Sequence, residues 1–333
     1  MTALSVLDLI MIGQEKNFTI ALDEARELAR HVEQHGYTRY WIAEHHDMPG
    51  IGSAATALVI NQIAAATHSL RVGAGGIMLP NHSPLAVAEQ FGTLDTLYPG
   101  RIDLGLGRAP GSAGAAVQAL RRGAPERDFG QDVVELSDYL QDNGKRAARA
   151  LSEPRDVPLW ILGSSLNGAD LAAALGLPYS FASHFAPRYL HQAIAHYRKN
   201  FRPSRYLLKP YVMVGVNVFA ADTNDEARYL ASSHRQWMLD LHMGRSGLLP
   251  KPVEGFMASL SSHERTVIDS VLSCTVAGNK AVVGDWMRSL IQQTGADELI
   301  IDARIYDPQA RLRSHRYAAD ALGENLTTNT LPA

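Results

Sequence analysis

Trp41-Ile-Ala-Glu-His-His-Asp47 sets a carboxylate and two imidazoles side by side at the end of a short apolar run. Imidazole is the side chain that gains or loses a proton near neutral pH, so the chemistry on offer is general acid–base work. Ligation of one metal by Glu44, His45 and His46 fits poorly. Successive strand residues point to opposite faces, which sends Glu44 and His46 one way and His45 the other. No HExxH or CxxC spacing occurs either, and those are patterns that make zinc ligands converge. The expectation is therefore no metal and one inward imidazole, His45, as the candidate proton carrier. A histidine hydrogen-bonded for structure alone is the competing reading.

Three glycine-bearing segments offer ligand chemistry of another kind. In Arg71-Val-Gly-Ala-Gly-Gly-Ile-Met78, the pair Gly75-Gly76 at mid-strand would let a flat ring lie against the main chain. Tight packing inside a sheet is the alternative. Ile102-Asp-Leu-Gly-Leu-Gly-Arg-Ala-Pro-Gly111 spaces its glycines G-x-G-x-x-x-G. A dinucleotide fingerprint needs G-x-G-x-x-G opening a helix, with an acid about 20 residues on. Pro110-Gly111-Ser112 breaks any helix start there, so that reading is rejected. What remains is Arg108, whose planar fork suits a phosphate or carboxylate, against an ordinary surface salt bridge.

In Pro158-Leu-Trp-Ile-Leu-Gly-Ser-Ser-Leu-Asn-Gly-Ala169, a strand runs into Gly163-Ser164-Ser165 and a helix follows at once. Free N–H groups and the positive end of the helix dipole make such a turn an anion site, although serine also caps helices without any ligand. Arg108 closes another strand, so the two could share one phosphate. The remaining histidines are less informative. His31 and His35 fall on a polar helix face, His191 and His196 on different faces, and no G-x-S-x-G occurs. Cys274 has no basic neighbour to activate it.

These clusters need elements to hold them. Short apolar runs at 5–9, 39–43, 71–78, 102–106, 159–162, 179–182, 211–219 and 298–301 read as strands. Helical stretches separate them, with Ala21, Ala25, Leu28, Ala29 and Val32 on one stripe and Gly176 as a C-cap. Strands apolar on both faces, such as 212–219, belong to a parallel sheet covered by helices. Eight alternations predict an α/β fold, a single (β/α)8 TIM barrel over residues 1–333; a doubly wound open sheet gives the same local pattern. The run 243–262, with three glycines and two prolines, reads as an inserted lid loop before the last strand. Strand C-termini build the active site of such a barrel, and each cluster above lies at or near one.

Composition sets the frame. The 333 residues are 46% hydrophobic and 20% charged, which excludes disorder, and 31 basic against 34 acidic residues leave −3. No basic stripe calls for nucleic acid or an anionic membrane, and no apolar run reaches the ~18 residues of a span. One cysteine cannot make an intrachain disulfide. A cytoplasmic enzyme is the expectation.

Taken in order, the clusters resemble the bacterial luciferase-like flavin monooxygenase family, most closely its YhbW-like branch. The match is carried by Ser5-Val-Leu-Asp8, Glu44-His-His46, Val72-Gly-Ala-Gly-Gly-Ile-Met-Leu-Pro-Asn-His-Ser-Pro84 and Ala88-Glu-Gln-Phe-Gly-Thr93. It continues through Tyr98-Pro-Gly-Arg-Ile-Asp-Leu-Gly-Leu-Gly-Arg-Ala-Pro110, Leu162-Gly-Ser-Ser165, Ala174-Leu-Gly-Leu-Pro178, Phe181-Ala-Ser-His-Phe-Ala-Pro187 and Thr294-Gly-Ala-Asp-Glu298. Each motif alone is weak; nine in register are specific.

The resemblance implies a barrel that binds FMN at its strand C-termini and uses the reduced form with O2 to oxidise a small organic substrate. It implies a separate NAD(P)H flavin reductase as partner, and a homodimer. By position, His45 matches the family's active-site histidine, and Gly75-Gly76 the pair that forms a non-prolyl cis peptide beside the flavin ring. Arg108, Gly163, Ser164 and Ser165 match the phosphate-binding set. Two departures stand out: Gly107 replaces a luciferase cysteine, and Gln131 falls near a second phosphate arginine. The rival readings are a single-component oxidoreductase reduced directly by NAD(P)H or a deazaflavin, and a non-catalytic flavin-binding protein.

Overall fold

A computed structural model describes residues 2–109, 114–121, 128–141, 144–151 and 153–323; the Pro110-Gly111-Ser112 break lies outside them. Its parallel strands are β1 (Ala3–Asp8), β2 (Arg39–Ile42), β3 (Arg71–Met78), β4 (Ile102–Gly107), β5 (Leu159–Gly163), β6 (Tyr179–Phe181), β7 (Val212–Ala220), β8 (Thr275–Gly278) and β9 (Glu298–Asp302). The helices are α1 (Phe18–Gln34), α2 (Thr56–Ala66), α3 (Pro84–Leu97), α4 (Ala115–Arg121), α5 (Phe129–Gln141) and α6 (Leu166–Leu175). They continue as α7 (Leu190–Asn200), α8 (Asn224–His242), α9 (Phe256–Ser259), α10 (Ser262–Val271), α11 (Lys280–Thr294) and α12 (Pro308–Gly323). Among the described residues, no helix is long and apolar enough to cross a membrane.

Strands β1 to β7 pair in sequence order and β9 joins β7 to β1, closing a ring of eight. This is the expected (β/α)8 barrel. Sequence reading missed β8, which lies outside the ring. Asn217 meets Asp302 of β9 on one edge and Thr275 of β8 on the other, so β8 extends the edge that β6 occupies further back. β8 is four residues long and only every second one is buried, a pattern too short to stand out in sequence.

Side chains divide between two cores because strand residues alternate. Tyr40 and Ile42 point out to the helices, whereas Trp41 between them points into the barrel. The outer layer receives the stripe of α1 predicted from its period, and that helix is capped by Asn17 Oδ1, which accepts the Ile20 N–H at 3.0 Å. Inside, Leu7, Trp41, Trp160, Met213 and Ile300 are buried, the two indoles meeting edge to face at 5.1 Å.

Below them lies a charged layer. Arg39 donates to Asp103 and to Glu298, both at 2.8 Å, and Arg71 adds a contact to Asp103 at 2.5 Å. The Trp41 indole N–H also reaches Asp103, at 3.2 Å. This layer closes the interior of the barrel at the N-terminal ends of the strands, with a shallower hollow of about 750 Å³ outside it, and the larger cavity lies at the other end.

The segment 243–262 is laid down in defined contacts. Leu249 exchanges backbone hydrogen bonds with Ile12 and Gln14, each at 2.9 Å, and the Gly247 carbonyl takes the Trp237 indole N–H at 3.1 Å. Its second half is helical: α9, then the start of α10 with a Ser261–Glu264 capping box.

Candidate active site

All eight strands of the ring, at their C-terminal ends or the loops that follow, contribute to one cavity of about 1460 Å³. That exceeds the ~300–1,000 Å³ of ordinary small-molecule sites, leaving room for two molecules. Its wall is mostly apolar, with Leu9, Met78, Phe181, Trp237, Leu241 and Ile300 among its side chains.

Six of the seven residues singled out in the sequence line this cavity: His45, Gly75, Arg108, Gly163, Ser164 and Ser165. Gly76 does not. A Cβ there would stand 2.6 Å from the Gly105 carbonyl, so close approach of β3 to β4 accounts for it, the packing alternative. At Gly75 a Cβ would come within 2.7 Å of Leu7 and 3.0 Å of Trp41. The peptide bond between the two is cis, and the β3–β4 register shifts at this point. The Gly76 carbonyl accepts the Glu44 N–H at 3.3 Å.

At one end of the cavity stands the turn before α6. Ser165 takes the extended N-cap conformation yet makes no side-chain capping bond. The N-capping alternative is therefore not what its hydroxyl does. Asn167 and Gly168, in the first helical turn, line the same wall, and exposed Arg108 reaches it from the end of β4. A Cβ on Gly163 would stand 3.4 Å from the Gly168 Cα, and one on Gly168 3.3 Å from the Gly163 Cα, so the start of α6 packs close against the end of β5. A cation, two hydroxyls and a helix N-terminus around one end form a donor set for a phosphate.

At the other side, His45 faces the cavity while Glu44 and His46 turn away, as strand alternation predicts. Sequence reading missed their partner. Glu44, buried to 1%, accepts His46 Nε2 at 2.7 Å and His82 Nε2 at 2.9 Å on Oε1, and the Met78 N–H at 3.0 Å on Oε2. Burial works against its charge, but the bonds from His82, His46 and Met78 prevail and hold its carboxyl below the usual range. His82 lines the cavity, so Glu44 anchors a second imidazole in the wall. The ligand atoms of Glu44, His46 and His82 lie within 4.8 Å of one another, where they satisfy each other by hydrogen bonds. The only signal in the sequence was that β2 and β3 are neighbours and that His82 follows β3.

A third group was also missed. His184, after β6, and Arg304, after β9, both line the cavity and are buried to 6% and 4%.

The family model for luciferase-like monooxygenases matches residues 3–298. A luciferase-like monooxygenase of Escherichia coli (strain K12) is 47% identical over 328 residues, covering 97% of this chain and 98% of that protein. The crystal structure of apo-MsnO8 is 34% identical and covers 96% of this chain and 98% of that one, with a TM-score of 0.86. The oxygenating constituent of 3,6-diketocamphane monooxygenase from Pseudomonas putida, solved with FMN, shares the fold at 17% identity, covering 99% of this chain and 99% of that one with a TM-score of 0.68. The chain therefore belongs to the luciferase-like monooxygenase family, and is an oxidoreductase of that family.

Proposed function

We propose that the protein is the oxygenase component of a two-component system, which takes reduced FMN from a separate NAD(P)H flavin reductase and uses O2 to oxidise a small organic substrate. The observation that carries this reading is one cavity that brings a phosphate-type donor set together with His45 and Gly75, in a space large enough for a cofactor and a substrate. Arg108, Ser164, Ser165 and the first N–H groups of α6 would hold the phosphate. Gly75, lacking a side chain, would leave room for the ring.

Bound reduced FMN would supply the electrons that activate O2. The chain's part is to bind, orient and dry the site. Apolar side chains exclude water, which strengthens each polar interaction inside. His45 holds or returns a proton at the cavity wall. The segment 243–262 serves as the lid: none of its residues lines the cavity, but Gly247 grips Trp237, which does. Release of that bond would free one wall.

Titration of the protein with oxidised FMN and with a deazaflavin, followed by flavin fluorescence, tests the cofactor. Saturable FMN binding weakened by Arg108→Ala supports the reading. Preference for the deazaflavin, or anaerobic bleaching of the bound flavin by NAD(P)H with no reductase added, would favour the single-component alternative.

A further inference from the structure

Besides Arg108, the cavity wall holds a second guanidinium, that of Arg304. The Arg304 guanidinium lies 4.5 Å over the Trp237 ring. One of its edges is spent, Nε and Nη2 donating to Asp302 Oδ2 at 2.9 and 2.6 Å. Among the described residues its Nη1 meets only the Met238 sulfur at 3.9 Å, a weak acceptor, and Met238 is itself a cavity residue. A guanidinium has edges for two carboxylates, and here one remains open.

His184 completes the pair. Its Nδ1 is buried without a partner and lies against Gly215, where even a Cβ would stand 2.3 Å away. A proton on Nδ1 would be a buried donor with no acceptor, so the favoured tautomer carries its proton on Nε2, the other edge of a ring that lines the cavity. The backbone that carries the ring is held, because the Asn217 amide donates to the His184 main-chain carbonyl at 2.6 Å. Burial above all holds the His184 pKa at about 4, so the ring is a neutral donor at neutral pH. The Arg304 charge adds to the lowering, and both side chains line the same cavity.

We infer that Arg304 Nη1 and His184 Nε2 form a carboxylate-binding subsite, and that the molecule oxidised in this cavity is an apolar organic acid. The inference rests on the reading of the cavity as an oxygenase site. Two N–H donors beside a permanent cation suit the two oxygens of a carboxylate, and the apolar wall around them suits its hydrocarbon body. Asp302 keeps its own half of the guanidinium and so does not compete for Nη1.

Calorimetric titration with octanoate and octanamide, on the flavin-free protein and on the protein loaded with oxidised FMN, tests the subsite. Octanoate should bind at least about tenfold more tightly than octanamide. The paired variant Arg304→Met with Asp302→Asn, which leaves no lone buried charge, should abolish that selectivity while retaining FMN binding. His184→Leu should reduce it several-fold, and His184→Gln, which restores a side-chain N–H, should recover part of it. Equal affinity for acid and amide, or selectivity unchanged in these variants, would overturn the subsite. Octanoate selectivity in a protein that binds no FMN would support the subsite and overturn the flavin reading.

Discussion

His82 Nε2 lies 2.9 Å from Glu44 Oε1, across 38 positions of sequence. The contact exists because β2 and β3 are neighbours in the barrel, which brings the loops after them together. Glu44→Gln keeps the shape but removes the charge and one acceptor oxygen. Buried hydrogen bonds to a charged group contribute about 1.5–3 kcal/mol each, so urea unfolding should show a loss of that order. The His82 ring, no longer anchored, should broaden in NMR spectra. Unchanged stability together with an unchanged His82 signal would show that the carboxylate organises nothing.

Arg108 and the turn before α6 should act together on the phosphate. Arg108→Ala should weaken FMN binding by about ten- to a hundredfold, the value of one or two charge-assisted hydrogen bonds. Riboflavin, which has no phosphate, should bind the variant and the wild type alike. A similar loss for riboflavin would place Arg108 elsewhere than at the phosphate.

The charged layer under the cavity is structural. Asp103, fully buried, takes Arg39, Arg71 and the Trp41 indole N–H. Asp103→Asn leaves Arg39 with only Glu298 and should cost about 3–5 kcal/mol of stability, read by denaturant titration. FMN affinity of the folded variant should not change, because the layer lies at the opposite end of the barrel.

Stability should fall in mild acid. Burial chiefly holds His184, His234 and His315 at pKa values of about 4, 3 and 3, against an ordinary 6.5. The unfolded chain takes up protons on these rings near pH 6.5, whereas the folded one does so only far below. The stabilisation is complete above pH 6.5 and is lost as pH falls towards 4 and 3. His234 has no hydrogen-bond partner on either ring nitrogen, so His234→Phe should flatten the fall. A melting temperature with the same acid slope in wild type and variant would contradict this.

The lid reading has its own test. Hydrogen exchange across residues 243–256 should slow when FMN and a substrate acid are bound, with the Trp237 indole N–H protected in step. Exchange that ignores both ligands would leave this segment as a fixed brace behind Trp237.

What the sequence made legible was periodic or local. Alternation separated His45 from Glu44 and His46, the 3.6-residue period located the buried face of α1, and Gly176 caps α6 in the left-handed conformation. Arg108 and Ser164-Ser165 were legible because each stands next to its own strand end. What was hidden depends on pairings between distant positions. His82 has no local spacing to Glu44, Arg304 and His184 come to one cavity only once the ring closes, and β8 is too short to show a period. Gly76 shares the expected cis peptide bond with Gly75, but its close packing on the Gly105 carbonyl depends on the β3–β4 pairing and has no local signal.

The central claim is that the cavity holds reduced FMN and governs its reaction with O2. Anaerobic protein with reduced FMN, mixed rapidly with oxygenated buffer, should reoxidise the flavin with kinetics distinct from free reduced FMN, and His45→Ala should change the later phase. Flavin reoxidation at the rate found in buffer alone, with and without protein, would contradict the account.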